Sequence, residues 1–211
     1  MNSTEKEISY KTTNTYSTLN SFTAQTKNVW LVCHGMGYLS RYFLKYFTEL
    51  NPKQNYIVAP QAQSKYYLPP NFKHVGSSWL TKENTEKETQ NVLRYFDAVF
   101  EAERLSQAKN LIVLGFSQGV SVAMRYVAHR EISCSKLVLM SGGLPKELTA
   151  DNFSFLKADV YFTYGTQDEY LDERRIQQES EKAKILFGNR VSILPFTGTH
   201  TVNKNLINTL A

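Results

Sequence analysis

Apolar runs of strand length alternate along the chain with segments in which apolar residues recur at helical spacing. The apolar runs lie at 27–33, 55–59, 111–114, 136–140, 159–165 and 190–196. The helical segments are predicted at 40–50, from 85 to about 100, after 119, at 172–187 and at the C-terminus. Strands that alternate with helices predict an α/β fold, with a mostly parallel, doubly wound sheet flanked by helices on both faces.

Three local patterns add detail to this outline. β-formers alternate with polar residues at 7–19, which predicts an edge hairpin within residues 1–26. The stretch 61–80 is irregular and aromatic, and its Tyr66, Tyr67 and Trp79 are candidates either to line a substrate site or to cover the sheet. Thr85 and Glu88 have the spacing of a capping box, and Ser40 stands where it could cap the 40–50 helix.

Length and composition exclude several classes of protein. The 211 residues fit one α/β domain spanning 1–211, and no stretch approaches the roughly 20 apolar residues of a membrane span. The polar N-terminus has no signal-peptide core, so we expect a cytoplasmic protein. The net charge of +5 comes from scattered Lys and Arg, which does not favour nucleic-acid binding. Cys33 and Cys134 have neither disulfide-framework nor metal-ligand spacing, and nothing indicates an oligomeric state.

A nucleophile-elbow pattern follows the third strand. Gly115, Ser117 and Gly119 form G-x-S-x-G between a buried strand and a predicted helix. A serine hydroxyl is a weak nucleophile, so it must be exposed on a tight turn and given a base. The flanking positions must be small because strand and helix crowd together there. A turn in which Ser117 merely caps a helix is the alternative interpretation.

The base should be a histidine in a loop at the carboxyl end of a strand, because catalytic residues lie there in α/β folds. His200 directly follows the last strand and is the best candidate. His129 lies about three turns along the elbow helix and cannot return to Ser117. His74 falls in the aromatic stretch, and His34 is followed by a glycine-rich loop that suits another role.

The acid that orients the imidazole is predicted to be Asp168, three residues after the fifth strand. Its competitor, Asp172, begins a helix and is typical of a cap. Ser117, Asp168 and His200 then follow the Ser–Asp–His chain order of α/β-hydrolases. An oxyanion hole needs two backbone N–H groups, which are expected from Gln118 and from the loop 34–37.

With these residues identified, the chain resembles the phospholipase/carboxylesterase family of small α/β-hydrolases, which contains acyl-protein thioesterases and bacterial carboxylesterases. The resemblance rests on six matching pieces in the family's order: His34-Gly35-Met36-Gly37, Ala59-Pro60-Gln61-Ala62, Ser78-Trp79, Gly115-Phe116-Ser117-Gln118-Gly119, Tyr164-Gly165-Thr166-Gln167-Asp168 and Gly198-Thr199-His200.

The resemblance implies a lidless α/β-hydrolase fold with a Ser–Asp–His triad, no metal and no organic cofactor. It also implies that the oxyanion N–H groups belong to Met36 and Gln118. The sequence departs from the family at Val120 and Ser121, in a loop after His34 that lacks an acidic residue, and in its aromatic stretch. These departures concern the substrate and not the triad.

The resulting hypothesis is a serine hydrolase that cleaves carboxylic ester or thioester bonds of a small or acyl-chain substrate through an acyl-enzyme on Ser117. Two alternatives remain open at this point. One is a hydrolase-fold binding or interaction protein with a weak triad, because fold does not fix function. The other is a peptidase or lactonase that uses the same three residues.

Overall fold

A computed structural model describes residues 3–211 of the chain. Its main sheet has seven strands in the order β1-β3-β2-β6-β7-β8-β9, and β4 pairs with β5 in a separate hairpin. The strands are β1 (Tyr16–Leu19), β2 (Asn28–Cys33), β3 (Asn55–Pro60), β4 (Ser64–Tyr67), β5 (Val75–Ser78), β6 (Leu111–Phe116), β7 (Lys136–Met140), β8 (Asp159–Gly165) and β9 (Val191–Phe196). The helices are α1 (Ser40–Phe43), α2 (Thr85–Ala102), α3 (Gln118–His129), α4 (Glu173–Phe187) and α5 (Lys204–Leu210).

The central strands are buried on both faces. Every residue of β2, β3 and β6 is buried, as expected for parallel strands covered by helices on each side. Along β2, Val29, Leu31 and Cys33 belong to the core cluster on the face covered by α2, α3 and α4, whereas Trp30 and Val32 belong to the cluster on the face covered by α1 and α5. This period of two confirms the predicted mostly parallel sheet with helices on both faces.

The first strand corrects one expectation. Residues 3–15 form no strand, so the hairpin predicted within 1–26 is wrong. Instead β1 pairs antiparallel with β3, with Tyr16 opposite Pro60 and Leu19 opposite Ile57. An isolated two-stranded hairpin is at best marginally stable. Pairing with β3 instead makes β1 part of the seven-stranded sheet.

The stretch 61–80 was expected to be irregular, but it contains the β4–β5 hairpin, with Ser64 opposite Ser78 and Tyr67 opposite Val75. The apolar–polar pattern gave little signal because all four residues of β4 are exposed. This hairpin packs on the loop after β2, since the Gly37 N–H donates to the Ser77 carbonyl (2.8 Å).

Helix starts also differ from the sequence expectation. Thr85 is the first helical residue of α2 and not its cap, and its hydroxyl donates to the Thr81 carbonyl at 2.7 Å. Ser40 likewise lies inside α1, which ends at Phe43 and continues as a 3-10 turn over Leu44–Phe47. The turn places Leu44 and Phe47, three residues apart, on one buried face. Asp172, by contrast, caps α4 as predicted, and its carboxylate accepts the Arg175 N–H at 2.8 Å.

The six parallel strands bring the loops that follow them to one edge of the sheet, at their carboxyl ends. The strands β2, β3, β6, β7, β8 and β9 end there at Cys33, Pro60, Phe116, Met140, Gly165 and Phe196. In residues 3–211, no helix is both long enough and apolar enough to cross a membrane.

Candidate active site

The turn between β6 and α3 holds Ser117 in a rare backbone conformation. Its φ is 54° and its ψ is −120°, outside the regions that a residue with a side chain usually adopts. Such a conformation costs on the order of 1–3 kcal/mol and persists only where the surrounding structure imposes it. Here the turn lies between β6 and the first residue of α3, which is Gln118.

Two glycines allow this turn to form. A Cβ on Gly115 would lie 2.5 Å from the Gly119 carbonyl oxygen and from the Val120 Cα. A Cβ on Gly119 would lie 2.0 Å from the carbonyl oxygen of Cys33. The predicted need for small residues on both sides of Ser117 therefore has a direct steric cause.

Replacing Gly119 by alanine is expected to cost about 3 kcal/mol of stability or more, because the backbone of β2 cannot move away from the added methyl group. The matched control is Gly188→Ala. Gly188 has a φ of +57° and a ψ of −131°, but its added Cβ would meet nothing within 4 Å, so only the backbone strain of that conformation is expected, on the order of 1–3 kcal/mol, and Gly119→Ala should lose more. Chemical denaturation of both variants checks this, and equal losses would contradict the steric account.

A chain of hydrogen bonds links the three residues that the sequence proposed for chemistry. The Ser117 Oγ lies 2.9 Å from the His200 Nε2, and the His200 Nδ1 lies 2.8 Å from the Asp168 Oδ2. With the Nδ1 proton directed at the carboxylate, Nε2 is free to accept the proton of the serine hydroxyl. The side chain of Asp168 is fully buried, and that of His200 is 13% exposed.

The remaining oxygen of Asp168 is also engaged. Its Oδ1 accepts the N–H groups of Tyr170 (2.9 Å) and Leu171 (3.2 Å). A buried carboxylate is costly unless it is hydrogen-bonded. Because both oxygens have partners, the carboxylate is held in one orientation, with Oδ2 directed at the imidazole.

Two aromatic rings pack against His200. The ring of Phe116 lies 5.1 Å from the imidazole, and the ring of Tyr170 lies 4.8 Å away in an edge-on arrangement. The side chain of Glu169 accepts the His200 N–H at 3.2 Å. Neither Tyr170 nor Glu169 was predicted from the sequence, although both directly follow Asp168, and this proximity was an available signal.

The loop after β2 lies directly beside the serine. A Cβ on Gly35 would approach the Ser117 Cβ to 3.1 Å, a tight contact that glycine avoids. Within residues 3–211 the N–H groups of Met36 and Gln118 have no protein acceptor. Gln118 begins α3, where the first N–H groups of a helix lack intrahelical partners. Both N–H groups are thus available to an oxygen bound near Ser117.

His34 holds this loop from behind. The histidine is fully buried, its Nε2 accepts the Ala62 N–H at 3.2 Å, and its Nδ1 lies 2.8 Å from the Gly35 carbonyl oxygen. Because Ala62 donates to Nε2, the single ring proton of a neutral imidazole must be on Nδ1, where it donates to Gly35. Burial lowers the pKa of His34 to about 4. The neutral imidazole of His34 thus holds the Gly35 carbonyl in place by a hydrogen bond, directly before Met36.

The buried His34 makes a prediction about pH. Its folded pKa is lowered from 6.5 to about 4, so the unfolded chain binds the extra proton first as pH falls, and stability is lost between about pH 6.5 and 4. The expected loss from this residue between pH 7 and 4 is about 3 kcal/mol. Unfolding free energies of the native protein and of His34→Gln, measured at both pH values, test this. An equal acid loss in both proteins would contradict it.

The side chain of Gln118 anchors a second segment to the elbow. Its Oε1 accepts the Trp79 N–H at 2.7 Å, and its Nε2 donates to the Leu80 carbonyl at 2.7 Å and to the Ser78 hydroxyl at 3.0 Å. The sequence analysis assigned Gln118 a backbone role only. Its amide also fixes the end of the β4–β5 region against the start of α3.

The three candidate lining residues have different surroundings. Tyr66 and Tyr67 are 36% and 63% exposed on β4, and the Tyr66 hydroxyl lies 3.9 Å from the Cβ position of Gly37. Trp79 is only 1% exposed, and its indole N–H donates to the His34 carbonyl at 2.7 Å. Of the two interpretations of Trp79, its burial favours the one in which the ring covers the sheet, and the ring supports the loop from inside the core.

No group of three or more His, Cys, Asp or Glu side chains within residues 3–211 is arranged to hold a metal ion. Cys33 and Cys134 are buried free thiols, and burial raises the pKa of both.

Comparison with known proteins gives concordant results. The sequence profile of the Phospholipase/Carboxylesterase family matches residues 14–210. A search of curated proteins finds no match. Among solved structures, a phospholipase/carboxylesterase from Dyadobacter fermentans is similar with 21% identity and a TM-score of 0.69, covering 95% of this chain and 97% of its own.

Two further structures show the same fold. Esterase PE8 is 18% identical with a TM-score of 0.69, covering 93% of this chain and 95% of its own. Acyl-protein thioesterase 2 from Zea mays is 16% identical with a TM-score of 0.68, covering 94% and 96%. Structural likeness at these identities establishes the fold, and the family profile, which spans nearly the whole chain, establishes the family. The chain belongs to the phospholipase/carboxylesterase family of α/β-hydrolases.

Proposed function

We propose that the protein hydrolyses a carboxylic ester or thioester through an acyl-enzyme on Ser117. The observation that carries the proposal is the unbroken hydrogen-bond chain from the Ser117 hydroxyl through His200 to the buried carboxylate of Asp168. A strained, partly exposed serine with a base and an orienting acid is the arrangement that nucleophilic acyl transfer requires.

In the first half-reaction, the Ser117 Oγ forms a bond to the substrate carbonyl carbon, and its proton passes to the His200 Nε2. Asp168 holds the imidazole and stabilises its charged form. The tetrahedral intermediate then collapses, the bond from carbon to the leaving oxygen or sulfur breaks, and the leaving group takes the proton from His200. The acyl group remains on Ser117 as an ester.

In the second half-reaction, water attacks the acyl-enzyme. His200 accepts a proton from the water, and the new tetrahedral intermediate expels the Ser117 oxygen, which recovers that proton. The products are the carboxylic acid and free enzyme, so no redox step or outside co-reactant is needed.

Each tetrahedral intermediate places negative charge on the former carbonyl oxygen. The free N–H groups of Met36 and Gln118 are the donors we assign to that oxyanion. Such preorganised donors typically contribute about 3–4 kcal/mol each to lowering the barrier. The support of the loop by His34 and Trp79 keeps the Met36 N–H in place before substrate arrives.

The surface beside the oxyanion loop favours an apolar part of the substrate. The side chains of Met36, Tyr66 and Tyr67 are exposed there by 59%, 36% and 63%. We therefore retain Tyr66 and Tyr67 as proposed lining residues, and we place Trp79 behind them as a supporting residue. No contact in the described residues favours a peptidase, a lactonase or a purely binding role over ester chemistry.

The experiment is a rapid-mixing assay with para-nitrophenyl esters and matched thioesters of increasing acyl length. The account predicts a burst of leaving group equal in amount to the enzyme, followed by slower turnover, because the acyl-enzyme forms before it hydrolyses. A folded protein that releases no leaving group from any ester or thioester in the series, yet binds them reversibly, would overturn the proposal in favour of a binding role.

A further inference from the structure

A concave surface lies between the loop after β7 and the start of α4. We call it the cationic cleft, and it is lined by Lys146, Asp172, Arg174, Arg175, Gln178 and Glu179. Its residues come from the loop after β7 and from the cap and first two turns of α4. None of them takes part in the hydrogen-bond chain from Ser117 to Asp168.

Short contacts connect this cleft to the reacting residues. The Arg175 guanidinium lies 2.9 Å from the Cβ position of Gly143 and donates to the Tyr170 carbonyl at 3.3 Å. Tyr170 is the residue whose ring packs on His200. The neighbour of Gly143, Gly142, has its Cβ position 2.3 Å from the Ser117 carbonyl oxygen. One residue, Tyr170, therefore separates Arg175 from His200, and two residues, Gly143 and Gly142, separate it from the Ser117 backbone.

The acidic groups of the cleft already have partners. The Glu179 carboxylate accepts the Leu144 N–H at 2.9 Å and is 3.9 Å from the Arg175 Nε. The Asp172 carboxylate accepts the Arg175 N–H at 2.8 Å. These hydrogen bonds hold the Glu179 and Asp172 side chains against the protein backbone.

The cations of the cleft are less engaged. In the part of the chain that the structure describes, neither Lys146 nor Arg174 forms an ion pair or a side-chain hydrogen bond. The guanidinium of Arg175 retains donors beyond the one that it gives to Tyr170. Three positive side chains thus line the cleft, with two of them unpaired.

We propose that the cationic cleft binds a carboxylate or phosphate on the substrate, so that the protein prefers esters that carry a negative charge. The inference rests on the proposed function, because it assigns the specificity of that same site. The planar guanidinium of arginine can form two parallel hydrogen bonds to a carboxylate or a phosphate. The ammonium group of lysine adds a positive charge that can approach the anion from several directions.

The strand order indicates on which side of Ser117 each part of the substrate would lie. The loop 34–37 follows β2 on one side of β6, and the cationic cleft follows β7 and β8 on the other side. A substrate bound across Ser117 would then place an apolar part near Met36 and Tyr66 and an anionic part near Lys146 and Arg174. The natural substrate would be an amphiphilic ester with one apolar and one anionic end.

The test compares two pairs of esters that differ in charge. In one pair the charge is on the acyl group, with para-nitrophenyl hemiadipate against para-nitrophenyl hexanoate. In the other pair the charge is on the leaving group, with para-acetoxybenzoate against para-acetoxybenzamide. The readout is the ratio of kcat/KM for the anionic ester to kcat/KM for the neutral ester, and we expect it to exceed one in at least one pair.

The variant Lys146→Gln/Arg174→Gln removes the two unpaired cations. We expect it to lower the favoured ratio about tenfold, because two charge interactions with a bound anion are lost. Raising the ionic strength should lower the wild-type ratio in the same direction. Arg175 is left intact in this variant because it also holds the Tyr170 carbonyl.

The matched control is Lys157→Gln/Lys184→Gln, which removes the same number of positive charges from exposed positions. Lys157 precedes β8 and Lys184 lies near the end of α4, both at the opposite edge of the sheet. The control should leave the ratio unchanged. If the cleft variant gives the wild-type ratio in both ester pairs, or if control and cleft variants lower it equally, the anion site is overturned.

Failure of this inference can be told apart from failure of the proposed function. Hydrolysis of the neutral esters with a Ser117-dependent burst, but without a charge preference that depends on the cleft, would reject the anion site alone. Absence of hydrolysis for all four esters would reject the esterase mechanism and this inference with it.

Discussion

Replacing Ser117 by alanine is expected to lower kcat for ester hydrolysis by about 10⁴-fold or more. The variant lacks the Oγ that lies 2.9 Å from the His200 Nε2, so no acyl-enzyme can form. Steady-state kinetics on the best ester of the chain-length series measures the effect. Any residual rate above that of water would come from the oxyanion donors and from substrate binding.

The control for this substitution is Ser121→Ala, which removes a hydroxyl one turn further along the same helix. Ser121 contacts Arg125 and lies outside the hydrogen-bond chain of the site. We expect its kcat to stay within a few-fold of the wild-type value. A Ser117→Ala preparation with full activity, purified free of other esterases, would reject Ser117 as the nucleophile.

Replacing Asp168 by asparagine is expected to lower kcat by about 10³–10⁴-fold. The N–H groups of Tyr170 and Leu171 require an acceptor oxygen at the Oδ1 position, so the amide NH₂ must face His200. An NH₂ group there makes Nδ1 an acceptor and moves the ring proton to Nε2. Nε2 can then no longer take the proton of Ser117, although the geometry is almost unchanged.

The matched control is Asp159→Asn, at the other end of the same strand. It makes the same chemical change far from His200, and we expect its kcat to match that of the native protein. The two kcat values, with circular dichroism to confirm folding, test the role of Asp168. Equal activity of both variants would mean that the imidazole does not depend on this carboxylate.

The sequence predicted the fold and the hydrogen-bonded trio because both follow from local patterns. Each of the six predicted strands is an apolar run, and each exists in the structure with bounds that differ by one or two residues at most. The geometry brings Ser117, Asp168 and His200 together because each follows a parallel strand at the same edge of the sheet. The positions of the three residues after predicted strands were therefore enough to predict that they meet, without knowledge of any side-chain contact.

Features that depend on tertiary contacts were not predictable in this way. All four residues of β4 are exposed and show no alternation of apolar and polar positions, so the sequence did not predict their pairing with β5. Trp79 was an ambiguous aromatic residue until its indole was found donating to the His34 carbonyl in the core. The buried bonds of His34 likewise join residues that are 28 positions apart, which no local pattern reports.

The most direct test of the central claim is covalent labelling with a fluorophosphonate probe, measured by intact mass. The probe reacts with a serine only when a neighbouring base activates it. The account predicts one probe per molecule on the native protein and none on Ser117→Ala or His200→Ala. An unlabelled native protein, or a Ser117→Ala variant that still takes up one probe, would contradict the assignment of Ser117 as an activated nucleophile.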